Sequence, residues 1–233
     1  MSAPFPVRND LPKNMLIADC LEKIYYRFEK SSEAPDTDSE DYLVRLEYCN
    51  AAISKWEHEQ GIEWKELFGE MTGTLTAGVF SFGTSDNYPN FRNPAGSLWI
   101  GDDKYEYVRP ERVEKEVEMN DLKKIYTITG SRGSFSLNVY PAITDNFTLN
   151  YRKYATTFTT GVETSPEIQM SDPDFIIYDV LSNLYLEDDN NTQASVMSQV
   201  ASAKMDAMKL ANETYPFNNQ SKVPDDEFSG FGN

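Results

Sequence analysis

The sequence predicts an α+β fold. Helices at both ends of the chain form a helical bundle layer, the middle forms an antiparallel β-sandwich or small barrel, and the C-terminus is an extended tail. Three observations predict it. Apolar residues recur at three- and four-residue intervals up to about residue 70, short β-prone runs follow to about residue 165, and the helical period returns from 166 to 212. The expected segments are therefore N-terminal helices over 1–70, an antiparallel β domain over 71–165, C-terminal helices over 166–212 that complete the helical domain, and a docking tail over 213–233.

A first helix from Leu11 to about Lys30 is suggested by Met15, Leu16, Leu21, Ile24, Tyr25 and Phe28, and the breaker run SSEAPDTDSED ends it. Ser39 or Asp41 caps a second helix. Its stripe is Leu43, Leu46, Asn50, Ile53 and Trp56, which puts an asparagine on the buried face, and Gly61 stops it between Trp56 and Trp64. Asn50 in such a stripe is expected to satisfy the backbone of a turn or neighbouring helix, while Trp56 and Trp64 close the helical layer.

The runs LWI (98–100), YEYV (105–108), IYTI (125–128), FSLNV (135–139) and FTLNYRKY (147–154) are separated by turn-forming clusters and read as antiparallel strands. Phe135, Leu137 and Val139 alternate with polar residues, as do Phe147, Leu149 and Tyr151, so each sheet has a wet and a dry face. Helices return at SDPDFIIYDVLSNLYLEDDNN, with Ser171 or Asp172 as cap and Pro173 in the first turn. A fourth helix spans about Thr192 to Asn212, with Val196, Val200, Ala203, Ala207, Leu210 and Ala211 along one side. The residues after Glu213 are polar and proline-rich yet carry Tyr215, Phe217, Phe228 and Phe231, a composition suited to docking on a partner rather than to a core of its own.

The net charge of −17 is unevenly spread: 8 basic against 15 acidic residues over 1–70, 10 against 11 over 71–165, and 3 against 12 over 166–233. A chain that grips nucleic acid needs basic groups to neutralise phosphates, so sequence-specific binding to DNA or RNA is not expected. The opening MSAPFPVRNDLPKN has no charged start followed by an apolar run, and no long hydrophobic span follows, which predicts an intracellular protein without a membrane segment. Cys20 and Cys49 are expected to pack as small apolar residues.

The chemistry of an enzyme is not visible. The single histidine, His58, lies between two glutamates on the polar side of the second helix, with no serine or cysteine in a nucleophile pattern beside it. Asp188, Asp189, Asn190 and Asn191 lack the alternation, central glycine and distal glutamate of a calcium loop. Gly130-Ser131-Arg132-Gly133 lacks the lysine and following helix of a phosphate loop and reads as a hairpin turn. No catalytic, metal or cofactor site is expected.

Two stretches, RLEYCNAAISKWEHEQGIEWKELF and DPDFIIYDVLSNLYLEDDNNTQASVMSQVASAKMDAMKLANE, flank the β-rich middle. In this order they resemble the tailed-phage head-to-tail connectors of the gatekeeper or tail tubular protein A type. The resemblance is carried by Asn50, Ala51, Ile53 and Trp56 and by Asp188 in the acidic turn of the late helix pair; the β domain departs from the family.

It implies a non-catalytic virion protein, assembled in the host cytoplasm. Such a protein forms a dodecameric ring beneath the portal protein, contacts further neck or tail proteins, and continues the channel through which DNA passes without specific binding during genome ejection. Acidic helix faces would line that channel, so Asp206→Lys is expected to leave assembly intact and slow DNA passage. The alternative is a non-catalytic carbohydrate- or peptide-binding β-sandwich module, with Trp99, Tyr105 and Tyr107 as an aromatic platform, or another structural interaction protein.

Overall fold

Alternation and helical period together give five helices and seven strands in a computed structural model that describes residues 15–30, 36–84, 87–120, 122–159 and 167–213. The chain divides into two compact units. One contains the described residues up to Glu66 and from Ala155 onward, and the other is Leu67–Tyr154. The limits expected at 71 and 165 thus move to 67 and 154, because Ala155, Phe158, Ile168 and Met170 are buried side chains of the helical unit.

In the helical unit, α1 (Ile17–Glu29) buries Ile17, Cys20, Leu21 and Ile24. It starts later than the expected Leu11. Residues 1–14 lie outside the described part, and Met15 and Leu16 are extended, with Leu16 bridging Glu167 and Met15 O accepting from Ile168 N at 3.0 Å. Helix α2 (Glu40–Glu57) is capped by Ser39, whose hydroxyl accepts from Tyr42 N at 3.2 Å. Its buried face is Tyr42, Arg45, Leu46, Cys49, Ala52, Ile53 and Trp56.

That face is rotated from the expected stripe, since Leu43 is exposed and Asn50 only half-buried. Arg45 takes an interior place by pairing with Glu29 at 2.7 Å and lying over the Tyr25 ring at 4.6 Å. The helix ends before Gly61, whose φ of +75° belongs to the turn that follows.

Helix α4 (Asp174–Glu187) is the apolar centre of this unit, burying Phe175, Ile176, Ile177, Val180, Leu181, Ser182 and Leu184 against α1, α2 and α5. Its N-cap position is Pro173, one residue later than the expected Ser171 or Asp172, with no side-chain cap; Asp172 just before it accepts from Asp174 N at 3.3 Å. Helix α5 (Asn191–Glu213) packs on α4 through Ala194, Ala201, Met205 and Met208. This corrects the expected face: Val196 and Leu210 are 46% and 64% exposed, and Ala203, Ala207 and Ala211 also face solvent. The methionines, with Ala194 and Ala201, fill the gap beside α4, and Lys204 and Lys209 fix the rotation through Asp172 (2.8 Å) and Glu59 (2.5 Å).

The β unit has strands β1 (Phe68–Thr74), β2 (Val79–Phe82), β3 (Phe91–Ile100), β4 (Asp103–Tyr107), β5 (Ile125–Ser131), β6 (Ser134–Tyr140) and β7 (Asn146–Lys153). They form one nearly closed, barrel-like sheet in the order β1-β7-β3-β4-β5-β6-β2. All neighbours are antiparallel except β4 and β5, which pair in parallel through Glu106↔Ile125 and Tyr107↔Tyr126. A parallel pair needs a crossover, and the unexpected helix α3 (Val113–Met119) supplies it.

The dry faces expected from alternation line the barrel. Leu137, Val139, Phe147, Leu149 and Tyr151 are buried there with Met71, Phe82, Phe91, Leu98, Ile100, Tyr105 and Tyr126. Gly130 opens the β5–β6 hairpin with φ +108°, and a Cβ there would lie 2.2 Å from Ser134 O.

Candidate functional site

Three of the residues that carry the resemblance, Asn50, Ile53 and Trp56, lie where the chain leaves and re-enters the helical unit, while Ala51 is exposed and Asp188 is in the turn after α4. The departing segment is held by Trp64, whose indole N–H donates to Trp56 O at 2.5 Å; the two rings stack with centroids 5.3 Å apart and planes at 28°. The returning segment is held by Asn50. Its Nδ2 donates to Phe158 O at 2.8 Å and its Oδ1 accepts from Phe158 N at 2.9 Å, so one side-chain amide satisfies both backbone groups of a single residue. Asn50 and Trp56 are six positions apart on α2, so one helix fastens both crossings. Asn212 of α5 adds a third tie, donating to Glu63 O at 2.8 Å and accepting from Lys65 N at 3.0 Å.

Trp56, Trp64 and Ile53 are buried, and Ile53 and Trp56 line a small cavity with Ala155, Thr156, Phe158, Ile168, Gln169 and Met170. The Trp56 indole N–H finds no acceptor among the described residues. Sequence reasoning named Asn50 and the tryptophans. It missed Asn212, which sits at the polar end of the α5 stripe, and Phe158, which lies in a stretch assigned to the β domain.

Electrostatics brace the same unit. Lys55 reaches Asp179 at 2.6 Å and joins α2 to α4, and the Tyr48 hydroxyl hydrogen-bonds Glu187 at the other end of the pair. That bond, followed by burial, raises the Tyr48 pKa. Burial alone would lower the Lys204 pKa, but Asp172 and Asp174 overcome it and hold the ammonium charged. Hydrogen bonding to Cys20, then burial, pushes the Cys49 thiol well above its ordinary range, so the Cys49 thiol stays protonated at neutral pH.

His58 is at the end of α2, its Nδ1 2.9 Å from Ser54 O. Asp188 ends α4, and with Glu187, Asp189 and Asn190 it makes the acidic turn into α5. Among the described residues no cluster of three or more His, Cys, Asp or Glu could hold a metal ion, and no helix is long and apolar enough to cross a membrane. The docking residues Tyr215, Phe217, Phe228 and Phe231 lie outside the described residues.

The aromatic platform of the alternative reading is not present on the β unit. Tyr105 is 2% exposed in the barrel core, and Trp99, between buried Leu98 and Ile100, points to the opposite face of the sheet. Tyr107 shares the Tyr105 face and lies with its ring 5.4 Å from that of Tyr126. No protein-family model matches the chain, and no curated protein matches it.

Proposed function

We propose that the chain is a structural head-to-tail adaptor of a tailed phage, ring-forming beneath the portal, contacting further neck or tail proteins and continuing the DNA channel. The observation that supports this most is the double fastening on α2: Asn50 to Phe158 and Trp56 to Trp64. Asn50 and Trp56 are two of the residues on which the resemblance was drawn, and their contacts tie the segments that leave and return to the helical unit onto α2. A part that transmits load between a filled capsid and a tail needs both of its connections tied to a rigid element. The acidic balance of the C-terminal segment, 3 basic against 12 acidic residues over 166–233, suits a channel along which DNA moves without sticking.

Immunogold labelling of particles tests the reading. Label confined to the head–tail junction is expected. Label along the capsid or tail, or a protein absent from particles, contradicts it.

A further inference from the structure

Strands β1 and β2 stand at the two ends of the sheet order, yet they begin as one hairpin. Thr76 N donates to Val79 O at 2.9 Å, and Val79 N donates to Thr76 O at 3.1 Å. The same register would next pair Thr74 with Ser81 and Thr72 with Gly83. Neither pair forms, because β1 turns to β7 and β2 to β6.

The parting leaves two strand edges. Leu75 N donates to Asp145 O at 2.9 Å, so Met71, Gly73 and Leu75 bond toward β7, while Glu70, Thr72 and Thr74 turn their backbone groups outward. Val139 N donates to Gly78 O at 2.9 Å, which by the same alternation turns Val79 and Ser81 of β2 outward. An open edge of this kind is a template for a further strand. Two consecutive side chains cover it. The Tyr88 hydroxyl accepts from Thr72 N and donates to Thr72 O, both at 3.0 Å. Asn87 Nδ2 donates to Ser81 O at 3.2 Å, and Asn87 O accepts from Gly83 N at 2.7 Å. We propose that Asn87 and Tyr88 form a latch across the barrel seam that keeps β1 from accepting a strand of another copy of the chain.

The backbone is shaped for this task. Tyr88 has a φ of +54°, a left-handed conformation that a bulky side chain adopts only at a cost, and Pro89 follows it. Its ring lies 5.7 Å from that of Tyr151 at 82°, so the hydroxyl is held out from a fixed support. Phe80 fills the inner side of the opening: its ring is 4.9 Å from Phe147, and a Cβ on Gly73 would lie 2.7 Å from it. Glu70 adds an exposed charge to the same edge. Another copy is the strand to be kept out, because every copy carries the same edge. Residues 71–165 hold 10 basic and 11 acidic side chains, so charge does not keep two β units apart as it does the acidic ends of the chain.

Hydrogen exchange and sedimentation of the full-length chain test the latch. Tyr88→Phe keeps the ring and removes only the hydroxyl, so the Thr72 amide should exchange about tenfold faster or more, with the amides shared by β5 and β6 unchanged. With Asn87→Ala added, the chain should assemble with rising concentration beyond the level of the parent, with a gain of β signal in circular dichroism. Adding Thr72→Pro as well removes the outward N–H without breaking a bond to β7, and should return assembly to the parent level. Unchanged Thr72 exchange in Tyr88→Phe overturns the latch. Faster exchange without added assembly of the double variant overturns its role as a guard, and assembly that survives Thr72→Pro overturns β1 as the acceptor. The adaptor reading rests on α2 and stands or falls apart from these outcomes.

Discussion

Replacing Asn50 by alanine removes both hydrogen bonds to Phe158 at once. Phe158 is 5% exposed, so its N–H and C=O lose their partner in a place water reaches poorly. A satisfied backbone hydrogen bond contributes about 1 kcal/mol net, and an orphaned buried group costs about 1–3 kcal/mol. Since Asn50 itself is half-buried, some water replaces the amide, which sets the loss for Asn50→Ala at about 2–4 kcal/mol and the fall in Tm at roughly 5–15 °C.

Asn50→Asp separates donor from acceptor. The carboxylate still accepts from Phe158 N but sets a second negative oxygen against Phe158 O, so this variant should be no more stable than alanine at neutral pH. It should recover relative to alanine below about pH 4, where protonation restores a donor. Chemical denaturation reads the stabilities, and hydrogen exchange at the Phe158 amide reads the local contact. A loss below about 0.5 kcal/mol for Asn50→Ala, with unchanged exchange at Phe158, would refute the clamp.

Three further outcomes follow from the same geometry. Tyr126 is buried, its hydroxyl donating to Gly96 O at 2.5 Å, and burial followed by the neighbouring Tyr107 raises its pKa far above the ordinary 10.0. The folded-state value is the higher one, so the stabilisation is complete below about pH 10 and is lost as pH rises from there toward the folded value. Tyr126→Phe should cost about 1 kcal/mol at neutral pH and flatten the alkaline limb of a stability–pH curve. Gly130→Ala should cost more than about 2 kcal/mol, whereas Gly101→Ala, with φ +57° and open space around its Cβ, should cost about 1 kcal/mol, as judged by denaturation midpoints. Deleting residues 214–233 should leave the melting temperature unchanged while abolishing co-sedimentation with portal rings; retained co-sedimentation would remove the tail from the docking account.

Much of this architecture was legible because period and alternation report burial directly. Phe147, Leu149 and Tyr151 are inside because every second residue of a half-buried strand must be, and Asn50 declared itself by interrupting a stripe. Other parts were hidden for physical reasons. Strand β1 carries Gly69 and Gly73, and β3 carries Pro94 and Gly96 at a bulge, residues that read as turns until a sheet accommodates them.

The α5 face was misassigned because the helix has two apolar stripes and the sequence does not say which one meets α4. Methionines decide it inside, while the Val196–Leu210 stripe stays in solvent. The parallel β4–β5 pair is a non-local fact, set by the α3 crossover and not by either strand's own residues. At the crossing site Asn212 was invisible, since an asparagine near a helix end reads as a solvated terminus until the departing chain is seen to pass beside it.

The adaptor reading is tested most directly by weighing purified portal rings of the cognate phage by mass photometry before and after adding the chain. The account predicts a single saturating increment of about 320 kDa, twelve chains of 26.6 kDa, which Asn50→Ala reduces and the 214–233 deletion abolishes. No increment, or a continuous rise without saturation, would contradict it.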